Sequence, residues 1–310
     1  MPSLKTLLRS LARSPSPLMP LGLLVIAVHA NAGWTLVQAD APVTVIDDAS
    51  EYRASNGQRL GPNDMVETPA AGDAQIQDDA GNSLLFGHDT RVMLMRDGQI
   101  ALLQGWLKVL HACSAPSCAV AVIETAGTRV ELGEATSVVI AAAAPNYREV
   151  DAVFCESGTV RVTAIGSPRG KPVPVRLDTP QFAARTAANP TLSAVPRPDP
   201  IFIAAMPVSF RDAVHPLPVP PGSHDAPARN MQPVSYDDVS DWLNSGLAAR
   251  TQAATSFATR FRTRLSDPAF RREIKQHLRT LPDWRPLIYP APRSTASAGP
   301  YPYHLTSNHP

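Results

Sequence analysis

Three cysteines, eight histidines, a few close carboxylate pairs and one basic cluster are the side chains of this 310-residue chain with chemistry to offer. Cys113 and Cys118 bracket a short Pro-containing segment between two strand-like runs, and a disulfide between them would close a small ring and constrain the chain locally. Cys155 ends the run Val150-Asp-Ala-Val-Phe and reads as a buried small hydrophobe in preference to a reactive thiol. Three cysteines without a second pair or a nearby histidine pair are a poor set of zinc ligands. Glu131/Glu134 and Asp78/Asp79 have the residue types of a glycosidase acid and base, but acids beside turns in an acidic stretch are usually solvated. The histidines form no His-x-x-x-His or His-Glu-x-x-His pattern, and Gly-x-Ser-x-Gly and phosphate-cradling glycine motifs are missing as well. His88-Asp89 reads as a pair of polar turn residues. No catalytic, cofactor or metal residues are assigned, and no cofactor is expected.

The basic cluster lies in residues 251–285, where eight bases face three acids. Arg260, Arg264, Arg271, Arg272 and Lys275 are the candidate partner-contacting residues. Such a run is most often a solvated face; it can also dock on anionic envelope components or an acidic protein, or fold back on acidic surface of its own chain.

These residues sit in a chain that is 44% hydrophobic and 18% charged, too apolar for wholesale disorder and long enough for one or two packed domains. The net charge of +1 gives no electrostatic case for nucleic acid, and no apolar run reaches the 18 residues of a membrane span. Residues 1–32 carry Lys5, Arg9 and Arg13, then the apolar run Leu18–Val28, then Ala30-Asn-Ala32, the three parts of a secretory signal with cleavage expected after Ala32. Retention of this segment as an uncleaved anchor is the alternative; either way the bulk of the chain is placed outside the cytoplasm, in the periplasm. Beyond it the charge is split: residues 33–186 hold 18 acids and 12 bases, residues 187–310 hold 9 and 13.

From Trp34 to about Arg185 the chain is written in short runs, about one per ten residues: Val43–Ile46, Met65–Thr68, Ala74–Gln77, Ser83–Phe86, Arg91–Leu94, Ile100–Leu103, Trp106–Leu110, Ala119–Glu124, Thr128–Leu132, Ser137–Ala141, Glu149–Phe154, Thr159–Ala164 and Val173–Arg176, separated by Gly, Asp, Asn and Pro, as in Asp79-Ala-Gly-Asn82 and Glu156-Ser-Gly158. This predicts an all-β unit over 33–186 in which a sheet folds over on itself to bury Leu, Val and Ile. Residues 187–234, with 11 prolines in 48 positions, read as a semi-rigid spacer, with Ile201, Phe202 and Ile203 available to dock as an edge strand. Ser235-Tyr-Asp-Asp238 has capping-box spacing, apolar residues recur from Val239 to Leu265 in steps mostly of three or four, and Asp267-Pro268 opens a second helix through Leu278. The expectation is a basic helical hairpin over 235–286, with a possible break at Ser245-Gly246, then a disordered tail over 287–310. The fold class is therefore mainly β with a small C-terminal α-helical hairpin.

The β unit resembles the FecR-like periplasmic domain. The carrying residues are Gly61-Pro-Asn-Asp-Met-Val-Glu-Thr68, similar to that family's G-x-x-D-x-(hydrophobic)-x-T opening, then Ala74-Gln-Ile-Gln77, Gly81–Arg91, Leu103-Gln-Gly-Trp-Leu-Lys-Val109, Val122–Val130 and Val150–Val162. The likeness covers about residues 40–165. It departs from the family at Leu132-Gly-Glu-Ala-Thr136, where an R-G-T is usual. It implies a sensing or protein-binding domain, not a catalyst. The family's signalling members place a cytoplasmic anti-sigma segment and a transmembrane helix before this domain; about 17 residues precede the apolar run here, so that regulatory role is not carried over. The expectation is a non-catalytic binding, sensing or scaffolding protein of the cell envelope, with a protein or glycan partner, no nucleic acid and no integral span once the signal is cleaved. The alternatives are an envelope polysaccharide- or peptidoglycan-acting hydrolase with an unrecognised site, and a membrane-anchored sensor that keeps residues 1–32.

Overall fold

The computed structural model describes residues 33–112, 122–166, 173–186, 190–223, 230–252 and 256–290. The expected signal segment, the Cys113–Cys118 loop and residues 291–310 lie outside them. The chain is mostly antiparallel β, as the turn spacing predicts. Its strands are β1 (Trp34–Ala39), β2 (Val43–Asp47), β3 (Ser50–Ala54), β4 (Arg59–Leu60), β5 (Met65–Glu67), β6 (Ala74–Asp78), β7 (Ser83–Phe86) and β8 (Arg91–Leu94). There follow β9 (Gln99–His111), β10 (Val122–Glu124), β11 (Thr128–Leu132), β12 (Thr136–Ala142), β13 (Asp151–Ser157), β14 (Thr159–Ala164), β15 (Val175–Asp178), β16 (Phe182–Arg185) and β17 (Gln232–Pro233).

One strand organises the rest. β9 is 13 residues long. Its first half pairs with β8 and, in parallel, with β10; its second half pairs with β7 and β12. Two half-sheets diverge from it: β4-β1-β6-β7-β9-β12-β13-β16 on one side, β17-β3-β2-β5-β8-β9-β10-β11-β14-β15 on the other. Ile100 and Leu102 point into the space between the halves, yet so do Leu107 and Val109. Even positions face inward before Gly105 and odd positions after it, which a strict period of two forbids. The switch is made by a register shift opposite Arg91–Val92 and by Gly105 at φ 102°, a conformation that L side chains rarely adopt. A Cβ at Gly105 would stand 2.5 Å from Thr90 Cα.

Both outer faces are covered by the chain's own later segments. On the β12–β13–β16 face, Trp106, Val139, Ala141 and Phe182 pack against Phe202, Met206 and Phe210. The last three come from α1 (Pro200–Ala205) and the 3-10 turn after it; α1 is capped by Asp199, which accepts from Ile201 N at 2.8 Å. Burial of Phe202 and Phe210 contributes roughly 1.5–3 kcal/mol each. Lys108, 1% exposed, donates from Nζ to the carbonyls of Phe210 (2.7 Å) and Asp212 (2.8 Å) and to Glu156 (2.9 Å). All three ammonium donors are thereby satisfied, the condition for burying that charge. Residues 200–217 are therefore a strap laid over the sheet, where the proline content suggested a spacer. Proline removes backbone donors, and a strap held by side-chain donors and apolar contacts does not need them.

The other outer face, with Ile46, Met65, Met93 and Ala101, is covered by α2 (Tyr236–Leu243), α3 (Phe257–Arg260), α4 (Pro268–Gln276) and α5 (Arg285–Ile288). The capping box at Ser235 and Asp238 and the Asp267-Pro268 start are both present. The expected two-helix hairpin is not. Its apolar stripe is divided by a turn at Asn244 and by 3-10 segments at Ala248–Arg250 and Phe261–Ser266, giving a cap of short helices that follows the curved sheet. We expect Gly105→Ala to lower unfolding free energy in urea by at least about 2 kcal/mol. Gly61→Ala, whose Cβ meets nothing closer than 3.7 Å, should cost under about 1 kcal/mol.

Candidate functional site

The basic cluster divides in two when it folds. Arg260 is turned inward: Nε donates to Asp48 O and Nη2 to Ile46 O, both at 2.8 Å, while Nη1 donates to Asn63 O. It thus clamps the cap to the β2–β3 and β4–β5 turns. Burial holds its guanidinium below the ordinary value, opposed by Asp64, Asp48 and Asp47. Arg264 donates to Val234 O and Asp267 Oδ2, each at 2.7 Å, and lies 5.9 Å from the Phe270 ring centroid. Both arginines are spent inside the molecule and are withdrawn as partner contacts. Sequence periodicity cannot separate them from exposed ones, because guanidinium groups that satisfy backbone carbonyls carry no pattern of their own.

Arg271, Arg272 and Lys275 lie together on the outer side of α4, while Phe270 and Ile274 fill the core beneath. Arg271 and Lys275 are one turn apart and have no ion-pair partner among the described residues. Arg272 reaches only Glu273, at 3.6 Å with 68% of its side chain exposed. Arg262 and Arg279 are exposed as well. Of the cap's aromatic residues, Trp242, Phe257, Phe261 and Trp284 are fully buried, whereas Tyr289 at the end of α5 is exposed. What α4 offers outward is a cationic surface, suited to an anion.

Further polar links fasten the cap. Trp242 Nε1 donates to Glu67 Oε1 at 2.8 Å, Arg91 bridges Glu67 and Asp241, and Ala248 N donates to Glu124 Oε1 at 3.1 Å. Burial pushes the Glu67 carboxyl up, opposed by its bonds to Trp242 and Arg91.

The motif residues that carry the resemblance are architectural. Asp64 accepts from Gly61 N at 2.7 Å and so closes the turn before β5. Thr68 donates to Gly87 O at 2.6 Å and accepts from Thr90 N at 2.9 Å, while Thr90 Oγ1 accepts from Trp106 N at 3.0 Å, beside the bend of β9. The departing turn at 132–136 packs on the start of β14, with Gly133 N donating to Thr159 O at 2.9 Å and the Gly133 carbonyl 2.8 Å from His111 Nδ1.

The remaining candidates are dispersed. Asp78 is buried and caps its own turn through Ala80 N and Asn82 N, while Asp79 is exposed. Glu131 pairs with Arg129 and Arg161. Cys155 is free and buried, and burial raises its thiol to about 11. Among the described residues no three His, Cys, Asp or Glu side chains are grouped to hold a metal, and no helix is long and apolar enough to cross a membrane.

No family model and no curated protein matches this chain. Among solved structures, two crystal structures of proposed anti-sigma factors from Parabacteroides distasonis are similar to it. The first shares 13% identity over 43% of this chain and 59% of its own, with a TM-score of 0.35; the second shares 15% over 50% and 60%, with 0.28. The chain spans about three-fifths of the solved structures it matches, and at these scores the likeness defines neither family nor activity.

We expect Asp64 to make the stability of the fold depend on pH. Burial raises its carboxyl from 3.8 to about 7, opposed by the Gly61 N–H and Arg260 and reinforced by Asp47 and Asp48. The folded state thus holds the proton more tightly than the unfolded chain, so the stabilisation is complete below about pH 4 and is lost as pH rises toward 7. Asp64→Asn, which keeps an acceptor for Gly61 N, should flatten this decline in urea-unfolding free energy between pH 4 and 8; an unchanged slope would rule out Asp64 as its source.

Proposed function

We propose that this chain is an exported, non-catalytic binding module of the cell envelope, a FecR-like β body that carries a helical cap and recognises an acidic partner, protein or glycan, through the exposed cations of α4. The observation that carries this reading is the sorting of the basic cluster. Arg260 and Arg264 satisfy the fold, whereas Arg271 and Lys275 are left exposed without an ion-pair partner among the described residues. Exposed like charges on one helical turn repel each other modestly, and a polyanion relieves that repulsion while releasing counterions. The export motif and the resemblance of residues 40–165 support the envelope setting.

Truncation before the cap is a poor test, because it would strip the cover from Met65, Met93 and Ile46. The informative variant is the charge reversal R271E/R272E/K275E, which leaves Phe270 and Ile274 in place. We expect the wild type to retain a discrete acidic partner from envelope extracts in a salt-sensitive manner, and the reversed variant to lose it at an unchanged melting temperature. Equal retention by both proteins would overturn the reading.

A further inference from the structure

A second surface of opposite sign lies on the strap side. Between strands β1, β6 and β7 and strap residues 209–217 is a cleft of about 340 Å³, within the size range of small-ligand sites. Its walls are set by side chains already ordered in the fold. Gln75, 7% exposed, donates to His215 O at 3.0 Å, and Gln77 Oε1 accepts from Leu217 N at 2.8 Å. Lys108 fixes the strap from beneath through the carbonyls of Phe210 and Asp212.

The lining combines two chemistries. Leu85 and Val214 supply apolar wall, while Asp40, Asp73 and Asp212 supply carboxylates. None of the three has an ion-pair partner among the described residues; Asp73 accepts from Ser209 Oγ, and Asp40 from Asp73 N at 3.1 Å. A second depression of about 330 Å³, lined by Ala39, Ala41, Pro42, Ser55 and Asn56, meets the first at Asp40 and lies past the end of β1. Apolar wall beside unneutralised carboxylate suits a cation on an aliphatic stem, whose methylenes are buried while its charged head meets the acids. The extension past Asp40 suits a chain of such groups better than a lone amine.

We propose that this cleft binds a lysine- or arginine-bearing segment of another polypeptide, independently of the α4 surface. The test is titration of the full mature chain with acetyl-Lys-Lys-Lys-amide, followed by backbone amide NMR, with acetyl-Glu-Glu-Glu-amide and spermidine in parallel. Expected are saturable shifts at residues 73–75 and 209–217 with the lysine peptide alone, suppressed by salt, and an affinity roughly tenfold weaker in D40N/D212N. These two substitutions leave the backbone contacts of the strap in place, and retention of the wild-type spectrum elsewhere reports that the variant is folded. Shifts confined to other surfaces, an unchanged affinity in the variant, or an equal response to the glutamate peptide would overturn the site. Saturation by spermidine at equal affinity would overturn the assignment to a polypeptide.

Discussion

The rest of the structure depends on a single backbone event, the change of inward parity along β9 at Gly105. A strand of regular pleat presents one set of side chains to one face throughout. β9 must serve two half-sheets that enclose a common interior, so it bends and inserts a residue where they part. Thr68 and Thr90 supply the hydrogen bonds around the bend, with Thr90 Oγ1 shared between Trp106 N and O at 3.0 and 3.2 Å. Two outer faces follow from that geometry, Ala101 and Leu103 beneath the helical cap and Trp106 beneath the strap. Neither face can be left to water, and this is why residues 200–217 and helices α2–α5 are packed layers of the molecule.

The charge split of the sequence is resolved in the same way. Arg260 of the later segments meets the Asp47–Asp48 turn of the β body, Arg91 of the β body pairs with Asp241 of α2, and Lys108 and Glu156 pair within the β body beneath the strap. These contacts use part of each charge set and leave remainders of opposite sign on different surfaces: cations along α4, carboxylates around the strap cleft. The functional reading rests on these remainders, since a charge already satisfied internally is a weak candidate for recognition.

Much of the β body was legible in the sequence. Ser83–Phe86, Arg91–Leu94, Thr128–Leu132 and Thr159–Ala164 coincide with strands because alternation and turn residues bound them on both sides. The runs leave out β1, β3, β4, β16 and β17: Ser50–Ala54 has one large apolar residue and Phe182–Arg185 no β-branched one, so these two are strands through pairing rather than propensity. The apolar pattern divides β9 into two runs, Ile100–Leu103 and Trp106–Leu110, because Gln104-Gly105 interrupts it. Proline content marks the strap as a spacer because it is a local signal, whereas the burial of Phe202 and Phe210 is decided by a sheet face assembled from distant segments. For the candidate site, composition marks the basic cluster, but only the fold separates Arg260 and Arg264 from Arg271, Arg272 and Lys275.

The central claim is that strap, cap and both half-sheets form one cooperative body around β9, which leaves recognition to residual surface charge. Native-state hydrogen exchange across a series of sub-denaturing urea concentrations tests it most directly. The account predicts that the slowest amides of α2 and α4, such as Leu243 and Ile274, merge with those of β5 and β9, such as Val66 and Leu107, into one global opening with a common free energy and urea slope. If residues 235–290 instead open as a separate unit well below the global free energy, the cap is a detachable domain and the partition of its arginines into structural and exposed sets is contradicted.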